Sequence, residues 1–125
     1  MEQIRVSSNV KRIQVNDKGE YITIDLGNAQ KIQQYQDILK KLKDMMDDLS
    51  DDDTVEVKIN ACKEIAVAID DIFGSGACIK VFECECPYPD MIGDFFAQIN
   101  PIINKHMNER VNKMNQKYNV NRKKG

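Results

Sequence analysis

NAQKIQQYQDILKKLKDMMDDL, residues 28–49, is the stretch on which the fold turns. Ile32, Tyr35, Leu39, Leu42, Met46 and Leu49 recur at alternating intervals of three and four residues. That spacing gathers them on one face of an α-helix, whereas a strand would send neighbours to opposite faces. The predicted helix begins at about residue 28, where Asn28 is suited to cap the first amides. Ser50 and Asp51, Asp52 and Asp53 then break the stripe, and their side chains suit the positive N-terminal end of a following helix. That second helix is predicted from about Thr54 to Phe73, because Val55, Ile59, Cys62, Ala66, Ile69 and Phe73 repeat at the same intervals. Two seams of equal length joined by a short acidic turn predict an antiparallel helical hairpin, each seam covering the other.

Upstream, KRIQVNDKGEYITIDL (residues 11–26) carries a different period. Ile13 and Val15 alternate with polar neighbours, Tyr21, Ile22 and Ile24 form a β-rich segment, and Asn16-Asp17-Lys18-Gly19 between them favours a turn. These residues predict a β-hairpin, and because a lone hairpin is marginal in water its apolar face must lie on the helices. Downstream, Gly74 falls just past the last periodic residue of the second helix, the usual place for a helix-ending glycine. ACIKVF (residues 77–82) reads equally as one or two turns of helix or as a short strand. The segment from Cys84 to Pro89 reads as a loop, since its two prolines deny both a helix interior and a sheet ladder. Asp90 is placed to cap a third helix with Ile92, Phe95, Phe96, Ile99, Ile102 and Ile103 on its apolar face, and Pro101 either kinks it or joins two helices. Beyond His106 the stripe thins to Met107, Val111, Met114 and Tyr118, and residues 119–125 read as a frayed basic tail. The expected fold is mainly α with an α+β character, an N-terminal β-hairpin packed on an antiparallel helical hairpin plus a Pro-kinked C-terminal helix. Residues 1–118 are expected to form one α-rich domain.

A chain of 125 residues with 42% apolar and 30% charged side chains has the size and composition of one globular domain. No apolar run approaches the roughly 20 residues needed to span a bilayer, so no membrane association is expected. MEQIRVSSNVKRIQV at the start lacks the apolar core and cleavage site of a secretory signal, which predicts a cytoplasmic protein with reduced cysteines. The net charge is -2, with acid gathered around residues 44–53 and base at the C-terminal end. With no basic stripe and no Trp, nucleic-acid binding is not expected, and both charged blocks read as solvated surface.

Candidate chemistry is sparse. Cys78, Cys84 and Cys86 raise the question of zinc, but they are not arranged in the two close pairs of a structural site, and Cys62 sits on an apolar helical stripe. Their simpler reading is reduced cysteines packed as small apolar groups or placed in a loop. Gly74-Ser75-Gly76 follows a helix, yet it lacks both the Lys-Ser or Lys-Thr head of a phosphate loop and the dinucleotide fingerprint. A helix stop and reversal is the better account. Asp70 and Asp71 lack the alternating oxygen ligands and closing glutamate of a calcium loop. His106 has asparagine and lysine neighbours in sequence and no cysteine beside it, so nucleophilic catalysis is not argued. No catalytic residue, metal or cofactor is assigned and a non-enzyme is expected. The methionines at 45, 46, 107 and 114 read either as ordinary core or as adaptable apolar surface for a partner.

Three segments carry a resemblance: IQVNDKGEYITIDL (13–26), IDDIFGSGACIKVF (69–82) and DFFAQINPIINK (94–105). Together they resemble the small tail assembly chaperones of long-tailed phages and prophages of Gram-positive bacteria. In that family an Ile-Asp-x-x-Phe-Gly-x-Gly turn is followed by a further Phe and then by a Phe-rich helix leading into Pro-Ile-Ile. Ile69, Asp70, Phe73, Gly74, Gly76, Phe82, Phe95, Phe96, Pro101, Ile102 and Ile103 match that order. The chain departs from the pattern at Glu83, where such proteins carry Gly, and in the insert ECECPYP. The resemblance implies binding of the tape-measure and tail-tube proteins during tail morphogenesis in the host bacterial cytoplasm, and it is compatible with a homo-oligomer. Asp70, Phe73, Gly74, Gly76 and Phe82 would be its signature turn, and Phe95, Phe96, Ile99, Ile103, Met107, Val111 and Met114 its partner-binding face. Two rival readings are a structural tail component, such as a tube or connector subunit, and a small zinc- or nucleic-acid-binding regulator.

Overall fold

The computed structural model describes residues 1–48 and 55–118. Its elements in chain order are β1 (Val10–Gln14), β2 (Tyr21–Asp25), α1 (Ala29–Asp48), α2 (Val55–Phe73), α3 (Ala77–Phe82) and α4 (Pro89–Tyr118). The chain is thus mainly helical with an N-terminal antiparallel hairpin. It divides into two compact units, residues 1–93 and 94–125, where length predicts one domain, and the division falls inside α4.

In the first unit, β1 and β2 pair antiparallel with Ile13 opposite Ile22 and Val10 opposite Asp25. The turn follows from Asn16, whose side-chain oxygen accepts from the amides of Lys18 at 2.9 Å and Glu20 at 3.2 Å, while Gly19 takes a positive φ of 83°. Such local bonds from Asn to the backbone ahead of it are what make it a turn former. The period of two sends Ile22 and Ile24 inward and Tyr21, Thr23 and Asp25 outward. On the outer side the guanidinium of Arg12 lies 3.8 Å above the Tyr21 ring. The inward face, extended by Leu26, is fully buried, and β2 packs on α1, α2 and α3.

Asn28 caps α1 as its residue type predicts, its side-chain oxygen accepting from the Gln30 amide at 2.9 Å. Lys31 meets Asp71 and Lys41 meets Glu64, a descending order of partners that makes α1 and α2 antiparallel. The buried row of α1 is not the one its spacing singles out. Tyr35, Ile38, Leu42 and Met45 are buried, Ile32 and Leu39 are half-buried, and Met46 is exposed. Intervals of three and four also connect 35, 38, 42 and 45, so the period allows two overlapping rows that share Tyr35 and Leu42, and only the covering elements choose. In α2 the expected Cys62, Ala66, Ile69 and Phe73 are buried together with Ile65 and Ile72, whereas Val55 and Ile59 are exposed. The Phe73 ring meets Tyr35 edge to face, with centroids 6.2 Å apart.

Residues 77–82 are helix, which settles the choice between helix and strand. Asp90 does not cap α4. The helix opens at Pro89, and the carbonyl of Tyr88 accepts from the amides of Met91 and Ile92. Proline suits that first position because its missing N–H would have had no intrahelical partner there. Pro101 marks no junction, since α4 continues through it to Tyr118. In the second unit the adjacent Phe95 and Phe96 rings lie 5.2 Å apart at 67°. Leu49, the acidic turn of residues 50–53, Thr54 and the tail 119–125 lie outside the described residues.

Ile69 is fully enclosed, so Ile69→Ala removes buried methylenes and leaves a cavity. It is expected to lower unfolding free energy by about 2–5 kcal/mol. Val67, two residues earlier and 71% exposed, is the control. Val67→Ala is expected to change stability by less than about 0.5 kcal/mol, both read from urea denaturation followed by circular dichroism.

Candidate functional site

The signature residues come together where α2 turns into α3. Gly74 and Gly76 take φ values of 108° and 81°, a region that costs side-chain-bearing residues about 1–2 kcal/mol. A Cβ at Gly76 would meet nothing, and one at Gly74 only Thr23 Oγ1 at 3.9 Å. Backbone conformation rather than crowding therefore selects glycine. Gly76 is the N-cap of α3 and has no side chain to offer its first amides. Asp70 makes up the deficit from the last turn of α2: its Oδ1 accepts from the Cys78 amide at 2.9 Å, while its carbonyl accepts from Gly74 at 3.0 Å. One aspartate thus closes one helix and caps the next. Phe73 anchors the turn against Tyr35, and Phe82, half-buried, ends α3.

Glu83 follows with φ 60°, the one non-glycine residue with positive φ among the described residues, and its amide donates to the Ile79 carbonyl at 2.9 Å. A left-handed backbone of this kind is one that glycine adopts at no steric cost. The hairpin turn is tied to α3 by bonds that sequence reading missed. Asn16 Nδ2 donates to the Lys80 carbonyl at 3.2 Å, and Lys80 Nζ donates to the Tyr21 carbonyl at 3.4 Å. An Asn in a turn signals only its local bonds, so the distant partner had no local mark.

Of the four cysteines, Cys62 and Cys78 are packed in the core, whereas Cys84 is half-buried and Cys86 exposed. Cys78 is buried, and its thiol donates to the Ala66 carbonyl at 3.5 Å. Burial first, then the charge of Asp70 and its hydrogen bond, with Cys84 and Cys86 adding to them, push that thiol up to about 12. Burial, followed by Cys86, also raises Cys62. Thiols held protonated in this way are poor nucleophiles and poor metal ligands. Among the described residues no three His, Cys, Asp or Glu side chains are grouped so as to hold a metal ion.

Two surfaces remain. A shallow groove of about 200 Å³ runs between α1 and α2, floored by Ile38, Ala68 and Ile72. Its rims are bridged by Gln34 to Asp71 at 2.7 Å and by Lys41 to Glu64 at 2.6 Å, the latter bond holding the Glu64 carboxyl below its usual range. The second is the face of α4, and it is shorter than the seven residues expected. Phe95, Phe96, Ile99 and Ile103 are buried, Met107 is half-buried, and Val111 and Met114 stand exposed. Apolar spacing marks a helix face and is silent on how far along the helix that face is covered. No described helix is long and apolar enough to cross a membrane.

The chain matches, over residues 18–125, a family of unknown function (DUF6673), and it belongs to that family. Comparison with curated proteins and with solved structures finds no match.

Gly76→Ala is expected to cost about 1–2 kcal/mol and Asp70→Ala about 1 kcal/mol, while Glu83→Gly is expected to add up to about 1 kcal/mol; urea midpoints check all three. Alkali should also destabilise the fold. Cys78 rises from an ordinary 9.0, and burial raises Tyr35 from 10.0, each to about 12. Both are acids that the unfolded chain deprotonates first, so their contribution is complete below about pH 9 and is lost as pH rises towards 12. Unfolding free energy is expected to fall across that window by at most about 1.4 kcal/mol per pH unit per group, and Cys78→Ala should flatten the slope.

Proposed function

We propose that this member of the family is a non-catalytic binding protein that holds phage tail proteins, the tape-measure protein above all, while a tail is assembled in the bacterial cytoplasm. The observation that carries this reading is the outer part of α4. Its row Ile103, Met107, Val111 and Met114 runs from buried to exposed, ending with Val111 at 48% and Met114 at 54% exposure. A helix that presents flexible, unbranched methionines and a valine to water is suited to cover the apolar stripe of another helix without demanding a fixed shape. Long tape-measure chains are rich in such stripes and aggregate when these are uncovered, so transient covering is the service the resemblance implies. The segments that carry the resemblance support the choice of client. The capped turn from Asp70 to Phe82 serves in this reading as scaffold.

The test is capture from a tail-producing bacterium with the tagged full chain and with a Val111→Glu/Met114→Glu variant, both sites being exposed. Tape-measure and tail-tube peptides are expected with the wild-type chain and about tenfold less with the variant, and the protein is expected to be missing from purified particles. Retention in finished particles at ring stoichiometry would make it a structural tail component. Co-purification with stoichiometric zinc or with nucleic acid, and no tail protein, would replace the reading with a regulator.

A further inference from the structure

We infer that two copies of the chain exchange their N-terminal arms, residues 3–7 of each adding as a strand to the open edge of β1 in the other. Among the described residues no strand lies beyond β1. At its two ends the Val15 amide donates to the Glu20 carbonyl and the Leu26 amide to the Asn9 carbonyl, each at 3.0 Å, which fixes the phase of the ladder. Odd-numbered residues therefore aim their peptide groups at β2, and Arg12 and Gln14 aim theirs at the open side. The inner face is also incompletely covered along this edge. Ile13 and Val15 are half-buried, whereas Ile22 and Ile24 on β2 are 2% and 1% exposed. Just upstream, Ile4 and Val6 alternate with polar residues outside any element, and each is 89% exposed. An apolar pair at the strand period thus lies in water beside an edge that lacks one.

The arm cannot cover the edge of its own chain. Folding back would make Asn9 and Val10 the two central residues of a tight hairpin turn, which requires positive φ at a β-branched valine. Both are already held on β2, Val10 opposite Asp25 and Asn9 bonded to Leu26. A second copy meets neither obstacle. Continued straight, β1 carries Ile4 and Val6 on the face opposite to its own Ile13 and Val15. A two-fold axis in the plane of the sheet, between Asn9 and Val10, makes that face the inner one of the other copy. Antiparallel pairing then sets Val6 against Ile13 and Ile4 against Val15, at the closely spaced positions between ladder bonds, with Arg5 against Gln14 and Ser7 against Arg12. Pairing slipped by two residues would instead put Arg5 against Arg12, so charge selects the register. The arm matches the edge in length as well, residues 3–7 facing 12–16. The contact is isologous and closes at two copies, and it does not depend on which client α4 takes.

Sedimentation velocity of the full chain over a range of concentrations tests it. The mean mass is expected to rise to that of a dimer and no further. Ile4→Asp/Val6→Asp, outside every element, should weaken the dimer about tenfold or more, because four apolar cross-strand pairs are lost. Gln14→Pro, which removes an amide from the open edge, should do the same, with circular dichroism unchanged in both variants. Mild oxidation of a one-to-one mixture of Val6→Cys and Ile13→Cys chains is expected to give a dimer linked through 6 and 13, identified by peptide mass. A chain that stays monomeric at every concentration would overturn the inference and leave the edge to a strand from another protein. An arm variant that dimerises as the wild type does, or a Val6→Cys/Ile13→Cys double variant that links 6 to 13 within one chain, would overturn it too.

Discussion

The apolar face of a two-stranded hairpin cannot be left in water, and most of the first unit is arranged to cover it. Ile22, Ile24 and Leu26 form a continuous buried edge, and β2 touches α1, α2 and α3. Covering that edge brings Tyr35 and Phe73 together and turns Tyr35, Ile38, Leu42 and Met45 inward. At roughly 25 cal/mol per Å² of apolar surface, burial of this kind outweighs the small contributions of the surface ion pairs along the α1–α2 seam.

The connection between α2 and α3 shows how a turn is stabilised when the residue at the cap has no side chain. Positive φ at Gly74 and Gly76 lets the chain reverse quickly, but it leaves α3 without a capping group. Asp70 reaches forward from α2 to supply one, and Cys78, whose amide it receives, buries its thiol against α2. Asp70, Gly74, Gly76 and Cys78 are thereby accounted for by hydrogen bonding and packing. Asn16 and Lys80 then fasten α3 to the hairpin, so the turn is braced from both sides.

What the core leaves over is the more informative surface. On the outer part of α4, Val111 and Met114 stand exposed on a segment that carries Lys105, Arg110, Lys113 and Lys117 against Glu109.

Periodicity and residue chemistry determined the kinds of element and most of their ends. The two-residue alternation around Ile22 and Ile24, the helical spacing around Tyr35 and Ile69, the cap at Asn28 and the stop at Gly74 were all legible, because each depends on neighbours within a few positions. Local signals did not choose between the rows containing Ile38 or Leu39, nor between helix and strand at 77–82. They did not show that Asp70 would cap a helix it does not belong to, nor that Phe95, Phe96, Ile99 and Ile103 would be buried while Val111 and Met114 were not. Those outcomes belong to the tertiary structure, since they depend on which surfaces meet across tens of residues, and a period of 3.6 names a face without naming what covers it.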